Sequence, residues 1–171
     1  MGLRILICLA VLLGCQPPAW ADNGVEYRLK VAFLYNFASF TTWPAGPETF
    51  LNLCIFGPDP FGEDLDKLQG RSVAGGSLAV RRTNSTDALV NCQMVFISRP
   101  AMGNLPQVLE RLRGRPVLTV TDTPGAARLG VAINMTTEQG TVRFEANQEA
   151  ARRNGLVLSS KLLRLATEVY Q

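Results

Sequence analysis

The sequence contains no histidine among its 171 residues. This absence excludes Ser-His-Asp and Cys-His catalysis, histidine-ligated metals and pH switching by histidine. Charge is also scarce: the 17 basic and 14 acidic side chains nearly balance, so the chain lacks the basic stripe that nucleic-acid-binding proteins usually carry. After the apolar run Ile5–Gly14 no second long apolar run follows, which argues against an integral membrane protein.

The N-terminal residues have the pattern of an export signal. Arg4 precedes the apolar run Ile5–Gly14, which is too short to span a bilayer, and small residues at Ala19 and Ala21 suit a signal peptidase. We therefore expect a signal peptide over residues 1–21 and export to the periplasm.

A second interpretation of the same segment stays open. Leu12-Leu13-Gly14-Cys15 is similar to a bacterial lipobox, in which Cys15 would become the lipidated first residue. In either case the rest of the chain has a length and a mean hydropathy (+0.10 for the whole sequence) typical of one globular domain. We predict a single domain over 22–171.

Two of the four cysteines, Cys54 and Cys92, lie outside the predicted signal peptide. An even pair in an oxidising compartment indicates a disulfide. The alternative is two separate buried thiols, because both cysteines lie in or beside apolar runs and a free cysteine packs as a small hydrophobic residue. Two cysteines without histidine make a metal site improbable.

The first helix is predicted over residues 27–41. Phe33, Phe37 and Phe40 share one face, and Pro44 ends the segment. Core packing explains most of these aromatic residues. Because Tyr35, Phe37, Phe40 and Trp43 cannot all point inward, part of this surface is a candidate for partner binding.

Short apolar runs alternate with helical patterns along the rest of the chain, which indicates an α/β fold. The expected class is a single-domain sandwich with a largely parallel central sheet flanked by helices, with an antiparallel hairpin at one edge. The predicted strands are 51–56, 77–82, 94–98, 116–120, 131–135 and 141–145, and the predicted helices are 64–68, 105–113, a helix capped by Asn147, and 159–170.

No motif in the sequence predicts catalysis or a cofactor. Gly57–Gly62 follows a strand and precedes a helix, where α/β folds often bind ligands, so Gly57 and Asp59 are candidate ligand contacts. A tight strand–helix turn explains the same residues, since the Gly-Lys-Ser/Thr of a P-loop is missing. The adjacent Ser160 and Lys161 have the wrong spacing for a Ser-Lys nucleophile.

The order of several short motifs resembles the YfiR family of periplasmic proteins. The motifs are Lys30–Ala38 with Trp43-Pro44, Leu53–Gly62, Cys92 with Val95–Ser98, Arg113–Val120 with Asp122 and Pro124-Gly125, and a closing block from Val142 to Leu165. The closing block is the strongest of them. The resemblance covers essentially the whole chain after residue 21.

The resemblance implies a regulator rather than an enzyme. The protein would bind the periplasmic region of an inner-membrane diguanylate cyclase and hold it inactive, and an outer-membrane lipoprotein with a peptidoglycan-binding domain would sequester this repressor. Cyclic di-GMP, and with it biofilm formation, would fall. A homodimer and a Cys54–Cys92 disulfide are also implied, and we expect Tyr35, Phe40 and Trp43 to contribute to the partner interface.

Two other classes of function stay open. The first is a sensor that binds a small molecule in the cleft beside Phe56 and Gly57, with the loops after Val120. The second is an enzyme, which the missing histidine and the dispersed carboxylates make the least favoured.

Overall fold

The computed structural model describes residues 20–44 and 49–171. The predicted signal peptide, apart from its last two residues, and the alternative lipidation site at Cys15 lie outside the described residues.

The described chain forms five helices and ten strands. The helices are α1 (Trp20–Ser39), α2 (Glu63–Asp66), α3 (Leu105–Leu112), α4 (Gln148–Arg153) and α5 (Ser160–Leu165), with 3-10 turns at Asp87–Asn91 and Arg99–Asn104. The strands are β1 (Thr41–Thr42), β2 (Phe50–Phe56), β3 (Ser72–Val73), β4 (Gly76–Thr83), β5 (Met94–Ile97), β6 (Leu118–Thr121), β7 (Ile133–Glu138), β8 (Thr141–Asn147), β9 (Val157–Leu158) and β10 (Glu168–Tyr170).

Eight strands form one sheet in the order β10-β8-β7-β6-β5-β2-β4-β3. The central strands β7, β6, β5, β2 and β4 run parallel, while β8 pairs antiparallel with β7 and β3 pairs antiparallel with β4. Strands β5 and β6 are buried at every position, because a parallel sheet is covered on both faces and its strands are then apolar throughout. The predicted α/β class, the parallel sheet and the antiparallel hairpin are confirmed.

The two faces of the sheet bury separate apolar cores. The larger core lies under α1 and contains Leu34 and Phe37 from that helix, packed with Phe96 of β5 and Phe144 of β8. The smaller core lies under α3 on the other face and contains Val108. Because successive side chains of a strand point to opposite faces, β5 supplies both cores.

The C-terminal helix is shorter than the sequence indicates. Residues 159–170 have a helical apolar stripe, but α5 ends at Leu165, whose side chain is 65% exposed. The amide of Thr167 then donates to the carbonyl of Phe144 at 2.9 Å, and Glu168–Tyr170 adds a parallel strand outside β8. The prediction of helix beyond Leu165 is wrong, because hydrogen bonds to the open edge of β8 outweigh continued helix.

The helices α4 and α5 begin where the sequence predicts. The Asn147 side chain accepts from the amide of Ala150 at 2.8 Å, as predicted for a residue that caps a helix. The Ser159 hydroxyl accepts from the amide of Leu162 at 3.2 Å. Ser159 therefore caps α5.

Candidate functional site

The carboxyl ends of the central strands meet at one edge of the sheet. The chain leaves β2 at Gly57, β5 at Ser98 and β6 at Asp122. After β2 the chain continues to β4 on one side, whereas β5 leads to β6 on the other side. Such a reversal between neighbouring strands is the usual ligand site of an open α/β sheet.

A buried cluster of charged side chains lies at this edge. Lys30 of α1 is 0% exposed, and its Nζ donates to Oδ2 of Asp122, which is 1% exposed, at 2.6 Å. The same Nζ also contacts Oε1 of Glu26 one helical turn earlier. The Tyr27 hydroxyl donates to Asp122 Oδ2 at 3.0 Å, and Arg99 Nε donates to the Asp122 carbonyl oxygen at 3.1 Å.

The charges of this cluster balance. Lys30 and Arg99 supply two positive charges, and Glu26 and Asp122 supply two negative ones. Burial, and then the adjacent Asp122 carboxylate, raise the pKa of Tyr27 to about 12, so the phenol stays protonated and acts as a donor. Asp122 Oδ1 accepts no hydrogen bond from the described residues, but Arg99 Nε lies 3.3 Å away.

The geometry of the cluster joins α1 to the end of β6. A buried charge is tolerated only when it is paired and hydrogen bonded, and here each charge has a partner on another turn or another element. Within the described ranges, no group of three or more Asp, Glu, Cys or His side chains could hold a metal ion. Because its buried ion pair links Lys30 of α1 to Asp122 at the end of β6, the cluster is a structural joint between helix and sheet.

The two candidate ligand residues have structural contacts of their own. Gly57 has φ of +92°, and a Cβ there would lie 2.5 Å from Ser98 Oγ and 2.6 Å from Ala101 Cβ, so only glycine fits. Asp59 accepts from the amide of Phe61 at 2.7 Å and from Arg82 Nε at 2.7 Å. Ligand binding by Gly57 and Asp59 stays a prediction.

The disulfide expected from the sequence is present. Cys54 of β2 and Cys92, which follows the first 3-10 turn, are bonded with their Cα atoms 6.0 Å apart. Both are buried in the smaller core. The bond closes a loop of 38 positions that contains α2, β3 and β4, so it anchors the 3-10 turn Asp87–Asn91 to the centre of the sheet.

The three aromatic residues proposed for partner binding lie in different places. The Tyr35 hydroxyl donates to the carbonyl of Ser72 at 2.9 Å, on the side of β3. Phe40 is half-buried, and Nζ of Lys161 lies 4.9 Å from the centre of its ring. Trp43 is only 6% exposed, and its indole N–H donates to the carbonyl of Gln93 at 3.2 Å. The three do not form one patch.

A comparison with known protein families assigns the chain to one of them. Residues 27–167 match the model of the family described as YfiR/HmsC-like. This match extends from Tyr27 in α1 to the residue before β10 and includes the buried cluster, except Glu26, and both disulfide cysteines. The chain belongs to the YfiR/HmsC-like family. Membership indicates a periplasmic regulator of cyclic di-GMP signalling. No helix in the described part of this YfiR/HmsC-like protein is both long and apolar enough to cross a membrane.

A solved structure has a similar fold at low sequence identity. It is the ABC domain from Streptococcus pneumoniae in complex with L-Trp, which is 11% identical with a TM-score of 0.50. The match covers 84% of the YfiR/HmsC-like chain but only 62% of that chain. At this identity the similarity concerns the fold alone.

Sequence reasoning missed the buried cluster of this YfiR/HmsC-like protein. Lys30 and Asp122 lie within the motifs that resemble the YfiR family, but the sequence alone assigns no role to either residue. One signal was available, because Lys30 is the only charged residue in the apolar half of α1 after Arg28. Asp122 lies two residues after the predicted strand 116–120, where an unpaired carboxylate would be costly.

Proposed function

We propose that this chain is an exported repressor that binds the periplasmic sensor region of an inner-membrane diguanylate cyclase and holds the cyclase inactive. Cyclic di-GMP and biofilm formation fall as a result. An outer-membrane lipoprotein with a peptidoglycan-binding domain sequesters the repressor and releases the cyclase, and the repressor itself is a homodimer. The family match over residues 27–167 carries this proposal.

The contact with the cyclase includes the end of α1. Phe40 keeps part of its ring accessible, and Val157 of β9, which pairs with Thr42, is exposed. Aromatic side chains that are partly accessible are frequent anchors of protein interfaces. Tyr35 offers a second contact towards β3. Trp43 supports this surface from the core, so its replacement would disturb the fold together with binding.

The test is the cellular level of cyclic di-GMP in a strain that lacks this gene, compared with the same strain after complementation. Deletion should raise cyclic di-GMP, because the cyclase loses its repressor. The exported wild-type protein should return the level to normal. A Phe40→Ser variant should accumulate in the periplasm but fail to lower cyclic di-GMP, because serine removes the aromatic anchor.

Phe50→Ser is the matched control. Phe50 is also a phenylalanine with an accessible ring, but it lies at the start of β2. This variant should complement fully. If cyclic di-GMP does not change on deletion, repression of a cyclase is wrong. Ligand sensing near Gly57 would then become the leading hypothesis, and a thermal-shift panel of metabolites would test it.

A further inference from the structure

An arginine-lined groove lies on the α3 side of the sheet, away from the buried charged cluster. It consists of two adjoining depressions of about 700 and about 530 Å³ that share Pro106, Glu110 and Arg113. We call it the arginine groove, defined by four arginines and two leucines: Arg111, Arg113, Arg115, Arg153, Leu109 and Leu129.

Arginine dominates the charged lining of the groove. Four arginines line it, and Glu110 is the one carboxylate among the described lining residues. Three of the arginines pair with carboxylates at exposed positions: Arg113 with Glu110 at 2.5 Å, Arg153 with Glu149 at 3.5 Å and Arg111 with Asp87 at 3.2 Å. Exposed ion pairs contribute little, so an incoming carboxylate can replace them. Arg115 makes no ion pair with any described residue.

An apolar wall lies beside two of the arginines, Arg113 and Arg153. Leu129 is 64% exposed and lines the second depression with Leu109. A Cβ at Gly130 would lie 3.4 Å from Leu109 Cδ1, so the wall is closely packed. An exposed leucine inside a charged rim has the composition of a binding site, with an apolar centre and a polar border.

The groove is held open by the fold. The side chain of Asn154 accepts from the amide of Gly114 at 3.1 Å and donates to the carbonyl of Val117 at 3.3 Å. These two bonds join the end of α4 to the turn that carries Arg113 and Arg115. A site fixed before binding loses less entropy when its partner arrives.

We infer that the arginine groove binds an extended acidic protein segment in which carboxylates alternate with apolar side chains. The carboxylates pair with the arginines, which form strong two-point hydrogen bonds with them, and an apolar side chain packs on Leu129. The depression that holds Leu109 and Leu129 is the more enclosed of the two, and this favours a chain over a bilayer, because a flat lipid surface does not enter a depression. The assignment of the segment to an envelope protein rests on the proposed function. The binding chemistry of the groove does not depend on that function.

The test uses the purified full protein and a fluorescein-labelled peptide of alternating Asp and Leu, followed by fluorescence anisotropy. The peptide should bind saturably, and a peptide with Asn in place of Asp should bind at least about tenfold more weakly. Arg113→Glu/Arg115→Glu should weaken binding of the Asp peptide by about tenfold or more. Leu129→Ser should weaken it less, since only apolar contact is lost.

Arg143→Glu/Arg164→Glu is the control, because it changes the net charge equally at two exposed arginines outside the groove. It should leave the affinity within about twofold of the wild type. Equal loss in both double variants would overturn the inference, since general charge would explain binding. So would equal binding of the Asn peptide.

A lipid surface is the competing class of partner. If phosphatidylglycerol vesicles bind and lose binding in Arg113→Glu/Arg115→Glu, while the Asp peptide does not bind, the inference is wrong and the groove is a membrane contact. These assays use no cyclase. If the Asp peptide does not bind but the protein still lowers cyclic di-GMP in cells, only the inference about the groove is rejected. If the Asp peptide binds but deletion of the gene leaves cyclic di-GMP unchanged, only the proposed function is rejected.

Discussion

Replacement of Lys30 by methionine tests whether the buried cluster joins α1 to the sheet. Lys30→Met removes the ammonium but keeps an unbranched side chain in the same space. It leaves the carboxylate of Asp122, which is 1% exposed, without the Nζ that donates to it at 2.6 Å. Loss of one partner of a buried ion pair typically costs about 3–5 kcal/mol in the free energy of unfolding.

The expected cost lies at the lower end of this range. Asp122 keeps the Tyr27 hydroxyl at 3.0 Å and Arg99 Nε at 3.3 Å from Oδ1, so its charge is still partly compensated. We expect Lys30→Met to destabilise the protein by about 3 kcal/mol, which corresponds to a decrease in Tm of roughly 6–12 °C for a domain of this size. The Glu26 carboxylate can turn towards solvent, so its loss of Lys30 adds little to this cost in the free energy of unfolding.

The double-mutant cycle separates the ion pair from general packing. Asp122→Asn alone should cost about 2 kcal/mol, because Lys30 keeps Glu26. The double variant should cost about 3 kcal/mol rather than the sum, since neither remaining group is a buried unpaired charge. Urea unfolding followed by far-UV circular dichroism, with the disulfide intact, gives these values.

The exposed ion pair between Lys67 and Asp64 provides the control. Their side chains lie 2.5 Å apart, but that of Lys67 is mostly exposed, so Lys67→Met should cost less than about 1 kcal/mol. The reasoning is refuted if Lys30→Met also costs less than about 1 kcal/mol, or if the costs of Lys30→Met and Asp122→Asn simply add.

Three further measurements follow from the structure. Cys54→Ser/Cys92→Ser should lower the free energy of unfolding by roughly 4 kcal/mol, the loop-entropy value for a separation of 38 positions; an unchanged urea midpoint would contradict this. Gly57→Ala should destabilise by more than about 2 kcal/mol, because its φ is +92° and a Cβ would meet two side chains at 2.5 and 2.6 Å, whereas Gly103→Ala, with open space around it, should cost less than about 1 kcal/mol. Equal costs at both glycines would show that the contact at Gly57 relaxes freely. Because the folded-state pKa of Tyr27 is raised to about 12 from 10.0, its contribution to stability is complete below pH 10 and disappears as the pH rises to about 12. After allowance for partial exposure, wild type should lose about 1 kcal/mol more than Tyr27→Phe over that range; parallel alkaline curves would contradict it.

The strands and helix caps were predictable because their signals are local. The run Leu51–Phe56 is apolar except at Asn52, which is typical of a strand covered on both faces, and it forms the core of β2. Asn147 stands directly before a helical pattern and accepts the expected amide hydrogen bond. In each case the physical cause lies within a few residues of the signal.

The features that were missed depend on contacts between distant residues. Residues 159–170 satisfy a helical stripe, and only the free edge of β8 decides that Glu168–Tyr170 becomes a strand. Lys30 and Asp122 are 92 positions apart, and neither residue alone indicates that the other neutralises it. A charged residue in an apolar helix predicts that some partner exists, but the fold has to identify the partner.

The two ends of the parallel sheet differ in what they offer to another molecule. At the carboxyl ends, the charges of Lys30 and Asp122 neutralise each other, Arg99 lies against the Asp122 carboxylate, and Gly57 is packed against its neighbours, so a ligand would have to displace an internal ion pair. At the amino end of β6, the arginine groove is open, and its ion pairs are exposed and weak. A protein that acts by binding other proteins gains more from an open charged surface than from a closed cleft. The sheet therefore supports a regulator whose contacts lie outside the edge where α/β enzymes keep their substrates.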